Sequence, residues 1–174
     1  MIRVMATRHD LVPTSIGELT IVVDEVSGRD VLVGIYFPGH WTLPDTVSFG
    51  PRETGNALVA ETVRQLEEYL AGERSGFDLP VGLRGGEFSQ AVWAALRDIG
   101  YGERVTYGEI ANRLGTSAQP VGRAIGANPI SIVVPCHRVV GSDGSLTGYA
   151  GGIERKRALL ALEEPSAADR EALF

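Results

Sequence analysis

The sequence predicts an α/β unit over residues 1–84 followed by a mainly α unit over residues 85–174. Three observations predict it. Two short β-branched runs near the start precede one amphipathic stretch, a Gly- and Pro-rich segment without periodicity follows, and several helical patterns joined by short turns come after it.

The β-branched runs are Glu18 to Asp24 and Val31 to Phe37, separated by Ser27-Gly28-Arg29-Asp30, and they read as two strands of a hairpin. Residues 41–52, with Pro44, Gly50 and Pro51, read as loop. From about Glu53, apolar residues at Leu58, Val59, Val63, Leu66, Tyr69 and Leu70 recur at helical spacing until Gly72 stops the run. Residues 77–86 then read as a domain linker. A second helix places Phe88, Val92, Ala95, Leu96 and Ile99 on one face and ends near Gly100. Thr106-Tyr107-Gly108-Glu109 has the form of a capping box, so a third helix starts there and stops at Gly115. Residues 119–127 form a fourth, with Pro120 tolerable only near its N-terminus. Helix, short turn, helix is the outline of a helix-turn-helix. Gly122, Ala124, Gly126 and Ala127 weaken its second helix and let another backbone come close, either a packed neighbour or DNA.

The 174 residues, 44% hydrophobic and 22% charged, suit one good core or two small ones. No stretch approaches the roughly 20 apolar residues that cross a bilayer, and the N-terminus lacks the pattern of a secretory signal, so a cytoplasmic protein without membrane contact is expected. A single cysteine forms neither an internal disulfide nor a thiolate-rich zinc site, and no metal or cofactor is expected. The net charge of −6 argues against nucleic acid until its distribution is considered. Residues 1–85 carry 7 Arg against 12 acids, whereas residues 88–162 carry 8 basic residues against 5 acids. The second half is therefore mildly basic, which permits DNA binding without requiring it. Arginine outnumbers lysine fifteen to one, a bias given no functional weight.

The chemistry concentrates in Asn128 to Gly141. An isolated Cys among apolar residues is ordinarily a small core hydrophobe. Cys136 differs because it follows the apolar run Ile132-Val133-Val134, ended by Pro135, and is followed at once by His137 and Arg138, two groups able to favour a thiolate. Lowering a thiol pKa from about 8.5 to about 6 raises the ionised fraction at neutral pH by roughly 30-fold at best. Ionisation alone is thus an incomplete mechanism.

Pro135-Cys136-His137-Arg138-Val139, preceded by Asn128-Pro129 and followed by Gly148-Tyr149-Ala150-Gly151-Gly152, resembles the O6-alkylguanine-DNA alkyltransferases. The resemblance covers residues 86–163, including Val105 to Glu109, and extends loosely through Gly72 to Pro80. It implies an N-terminal domain resembling ribonuclease H and a C-terminal winged-helix-like domain. It further implies that Cys136 accepts an alkyl group irreversibly, with His137 acting through a water as its base and Glu163 orienting the imidazole. Tyr107 is implied as a donor to the guanine ring that also crowds the target phosphate, and Asn128 as the tie between the helix-turn-helix and the active-site segment. Tyr149, the Ala150 N–H and the carbonyls of Cys136 and Val139 are implied to line the flipped-base pocket, with Gly126 among the DNA contacts. The implied partner is duplex DNA containing O6-alkylguanine, bound by a monomer, with cooperative clustering, O4-alkylthymine repair and the preferred alkyl group left open.

One departure from the family pattern falls on the second helix of the pair. Where an arginine usually fills the place vacated by the flipped base, this sequence has Gln119, and Arg123 one turn later is the alternative. Three rival readings have less support. A non-enzymatic lesion binder leaves Cys136 unexplained, a cysteine hydrolase would draw on His9 or His40, and a winged-helix regulator leaves Pro-Cys-His-Arg unexplained.

Overall fold

The computed structural model describes residues 7–166 and Glu171. Three antiparallel strands, β1 (Arg8–Thr14), β2 (Gly17–Val26) and β3 (Arg29–Tyr36), form a sheet in the order β1-β2-β3. The expected hairpin is β2–β3, closed by Ser27 and Gly28 with φ of 53° and 75°, the positive pair that a two-residue turn between twisted strands requires. Strand β1 was hidden in the sequence by Arg8, His9, Asp10 and Pro13. Its position at the sheet edge explains that composition, since an edge tolerates charge and a missing N–H.

Helix α1 (Ala57–Leu70) begins four residues later than the sequence suggested, because the Asn56 side chain caps it by accepting from the N–H groups of Leu58 and Val59. It lays Val59, Leu66 and Tyr69 on the sheet face formed by Leu19, Ile21 and Val23. The opposite face carries a smaller cluster of Val22, Tyr36 and Phe49.

Residues 77–86 are not a free tether. Leu32 N–H donates to Pro80 O (2.7 Å) and Gly82 N–H to Leu32 O (2.8 Å), and further along the same edge Ile35 N–H donates to Pro129 O (2.9 Å). Both segments cover the side of β3 that faces away from β2 and satisfy donors that an open edge would leave bare.

Beyond this edge lie α2 (Glu87–Arg97), α3 (Tyr107–Leu114), α4 (Ala118–Gly126) and α5 (Ile153–Glu163). The two-residue strands β4 (Val105–Thr106) and β5 (Val139–Val140) pair in parallel. Helix α2 buries Val92, Trp93, Ala95 and Leu96, whereas Phe88, expected on that face, lies in the first turn and is 40% exposed. The capping box at Thr106 and Glu109 forms as read, and Gly115 ends α3 in the left-handed conformation at φ 66°. Within α4 the small residues divide their work. Ala124 is buried and its carbonyl accepts from Trp93 Nε1 (2.9 Å), while Gly122 faces the Tyr107 ring at the start of α3 and Gly126 faces the Trp41 ring. One buried cluster runs from β2 through α2 to α5, joining both halves. Among the described residues, no helix is long and apolar enough to cross a membrane.

Candidate active site

Two successive three-residue turns carry the chain into Cys136. In the first, Val133 N–H donates to Ser131 O (2.9 Å) around Ile132. The φ of Ile132 is 71°, a conformation that costs a β-branched residue roughly 1–3 kcal/mol. In the second, Cys136 N–H donates to Val134 O (2.8 Å) around Pro135, whose φ of −82° and ψ of 63° define an inverse γ-turn. The apolar run before the cysteine is therefore folded back on itself and buried, and Cys136 opens a 3-10 turn that leads into β5.

Asn128 holds this arrangement against α4. Its Nδ2 donates to Val134 O (2.9 Å), its Oδ1 accepts from Ile130 N–H (3.0 Å), and its own N–H reaches Ile125 O (3.1 Å). One buried amide thus ties the end of α4 to the turns that lead into Cys136.

His137 and Glu163 meet on the far side of the turn, with Nε2 2.8 Å from Glu163 Oε1 and both side chains buried. The carboxylate also accepts from Tyr69 Oη (2.5 Å), from Arg138 Nε (2.9 Å) and Nη2 (2.8 Å), and from Gly102 N–H (3.4 Å). Burial alone would raise the Glu163 pKa, but the hydrogen bonds from His137 and Arg138 outweigh it and hold the group near about 2. Burial lowers the His137 pKa despite Glu163 beside it, so the imidazole is neutral. An ionised acceptor at Nε2 places the proton there and leaves Nδ1 as the basic nitrogen. That Nδ1 is buried and has no partner among the described residues. Tyr69 and Arg138 were not anticipated as members of this network. Tyr69 read as a helix-core aromatic, and nothing local in the sequence links α1 to a carboxylate 94 residues away.

The electrostatics of Cys136 differ from the sequence expectation. Burial pushes its thiol up, opposed by the Asn128 amide and the charge of Lys156. Arg138, expected to favour the thiolate, is turned to Glu163 and to Ile99 O (2.6 Å), and His137 is neutral. The cation that acts on the thiol is instead Lys156, the only lysine of the sequence. It is completely buried, donates to Thr147 O (3.1 Å) and Gly148 O (3.4 Å), and lies 6.0 Å from the centre of the Tyr107 ring. Desolvation brings its pKa down to about 8, with Cys136 opposing the fall, so most of its charge survives at neutral pH.

A cavity of about 180 Å³ opens onto Cys136. Tyr107, Asn128, Tyr149, Ala150 and Gly126 line it, together with Gly122 and Ser131. Tyr107 Oη donates to Thr147 O (3.1 Å), a bond it must exchange to donate elsewhere. The Gly148–Gly152 loop is backed by Phe37, against which a Cβ on Gly151 would lie only 2.5 Å from Cδ2. Val139 does not line the cavity; it is buried and its backbone pairs with Val105. Gln119 and Arg123 are exposed one helical turn apart on α4, both outside the cavity. Trp41, assigned to a loop without a role, does line the cavity. A tryptophan with no periodic apolar partners in a Pro- and Gly-rich loop was the available signal. Among the described residues, no three His, Cys, Asp or Glu side chains group to hold a metal ion.

Residues 87–165 match the family described as 6-O-methylguanine DNA methyltransferase, DNA binding domain. The chain is 50% identical over 137 residues to the methylated-DNA–protein-cysteine methyltransferase of Mycobacterium tuberculosis strain H37Rv, covering 78% of this chain and 76% of that protein. It is 48% identical over 151 residues to the inducible methylated-DNA–protein-cysteine methyltransferase of Bacillus subtilis strain 168, covering 80% and 84%. Among solved structures, Mycobacterium tuberculosis OGT in complex with DNA superposes with a TM-score of 0.80 at 44% identity, over 90% of this chain and 92% of that chain.

The depressed Glu163 pKa makes stability depend on pH in one direction. Its contribution is complete above the unfolded value of 4.5 and is lost as pH falls toward about 2. Urea unfolding of Glu163→Gln should therefore show its largest deficit against the parent above pH 4.5 and a shrinking deficit below it; a deficit independent of pH would refute the assignment. Lys156→Met removes the buried charge at similar volume and should slow iodoacetamide alkylation of Cys136 at pH 7 by about tenfold, the equivalent of one pKa unit. An unchanged rate would mean that the ammonium does not act on the thiol.

Proposed function

Since the chain belongs to the methylated-DNA–protein-cysteine methyltransferases, we propose that it repairs alkylated duplex DNA by moving the alkyl group from O6 of guanine to Cys136, once per molecule. The observation that carries this reading is the buried thiol on a cavity, followed in the chain by a neutral imidazole whose Nε2–H is committed to Glu163. In the reaction the thiol proton passes through a water to His137 Nδ1, and Sγ attacks the alkyl carbon. The S–C bond forms as the C–O6 bond breaks, and the electron pair leaves on the guanine oxygen. A proton returned to the guanine restores the ordinary base. Products are a thioether and intact DNA. A thioether has no good leaving path back to a thiol, so the protein is consumed.

Burial of Cys136 means that the resting side chain is a thiol, which leaves much of the acceleration to the developing charge on guanine. Tyr107, already a donor at the cavity wall, is the group we assign to that charge, exchanging Thr147 O for the base. Lys156 supports the thiolate as it forms. Tyr149, the Ala150 N–H and the Cys136 carbonyl hold the purine, and Gly122 and Gly126 let the DNA backbone approach α4 closely. Extruding a nucleotide costs a few kcal/mol and costs least where pairing is already damaged, so the lesion favours its own recognition.

In this reading α3 and α4 form the helix-turn-helix of a winged-helix-like unit over residues 85–174, and the sheet with α1 forms a ribonuclease H-like unit over residues 1–84. The protein acts in the cytoplasm as a monomer on duplex DNA. The rival reading, a lesion binder without transfer, is disfavoured by the presence of Cys136 in the cavity.

Incubation with a duplex containing O6-methylguanine should add one methyl to the tryptic peptide 124–138 and restore guanine, while Cys136→Ser should retain binding and lose repair. Tight binding with an intact lesion would favour the rival. The place vacated by the flipped base is open to two residues. Gln119→Arg should raise DNA affinity or repair rate if position 119 fills it. Should neither change while Arg123→Ala cripples both, Arg123 fills it instead.

A further inference from the structure

Trp41 is the one residue lining the acceptor cavity that comes from the first half of the chain, and it also lines a second, shallower groove of about 500 Å³ that runs along residues 148–153. The indole thus stands between the two spaces. Its six-membered ring lies over α4, since a Cβ on Gly126 would meet Trp41 Cζ2 at 3.5 Å. Trp41 is 69% exposed, yet the backbone that carries its ring is fixed on both sides of the cavity mouth. Trp41 N–H donates to Ala150 O (3.2 Å), and the neighbouring Thr42 Oγ1 donates to Gly126 O (2.9 Å). Behind it, the buried His40 ring stacks on Phe37 at 6.4 Å and meets Tyr36 edge-on at 5.3 Å. A tryptophan left mostly in water forgoes the burial that normally stabilises so large a side chain. A rigid support beneath an uncovered ring is what a wall against a ligand requires.

We propose that Trp41 sets the upper size of the O6 substituent that Cys136 accepts, by closing the cavity toward the groove. This rests on the alkyl-transfer reading above. A methyl group occupies only the space between O6 and Sγ. Larger substituents extend past the thiol toward Tyr149 and Ala150, where the indole stands, and the groove beyond would hold an aryl or longer alkyl group if the indole were smaller.

The test compares transfer from O6-methylguanine and O6-benzylguanine in the same duplex for the parent, Trp41→Phe and Trp41→Ala. The benzyl-to-methyl rate ratio should rise by about tenfold or more in Trp41→Ala, the scale on which an apolar pocket discriminates small changes in size, with Trp41→Phe between. A ratio that is unchanged or falls would overturn the proposal, and a fall would instead make the indole a platform for the base. A second measurement needs no DNA. Because Cys136 is the only thiol, its alkylation by iodoacetamide and by N-benzyl iodoacetamide should show the same relative gain for the bulky reagent in Trp41→Ala, and equal changes for both reagents would count against a wall. Absence of methyl transfer in the parent protein would refute the alkyl-transfer reading and leave the reagent-size result to judge Trp41 by itself.

Discussion

The Glu163 carboxylate is the constraint on which the rest of the site depends. It is buried, ionised and surrounded by donors from three separate parts of the chain, Tyr69 on α1, Gly102 before β4, and His137 and Arg138 next to Cys136. A buried charge is tolerable only when its oxygens are satisfied, and here the satisfaction comes from groups that would otherwise have no reason to converge. Removing any one donor leaves the others to solvate the charge less completely. The same bonds fix the imidazole tautomer, so the arrangement that stabilises the carboxylate also makes Nδ1 basic.

That arrangement also accounts for the packing of the two halves. The uncovered edge of β3 receives residues 80–82 and 129–130, α1 sends Tyr69 to Glu163, and Phe37 at the end of β3 backs the glycine-rich loop beside the cavity. The first half thus supports the segments around Cys136 and Glu163 from behind. Ile132 shows the cost of this precision, since its left-handed backbone is accepted in order to turn the chain sharply into Cys136.

Elements with local signals were legible in the sequence. The β2–β3 hairpin, the capping box at Thr106 and the stop at Gly115 each rest on residues within a few positions of one another. The start of helix α1 is not legible because an Asn cap has the composition of any polar loop residue, and only its side-chain contact with the helix distinguishes it. Strand β1 carried edge-strand composition and therefore no apolar alternation. At the site, Cys136, His137 and Glu163 were recognised through a motif and a resemblance, whereas Lys156, Tyr69 and Trp41 were not. Each of these three reaches the site across a long sequence separation, and each has an ordinary local explanation as a helix residue or a loop aromatic. The role expected of Arg138 differs for a related reason: adjacency in sequence to Cys136 does not decide which way a side chain points in a 3-10 turn.

The bond from Tyr69 to Glu163 couples events that a reader of the sequence would treat as separate. A helix whose hydroxyl helps to satisfy the carboxylate beside the imidazole cannot open without leaving that buried charge less well solvated, so the opening of α1 and the state of the imidazole draw on one free energy. Ligand bound at the cavity then protects the amides of a helix it never touches, by mass action on that shared opening.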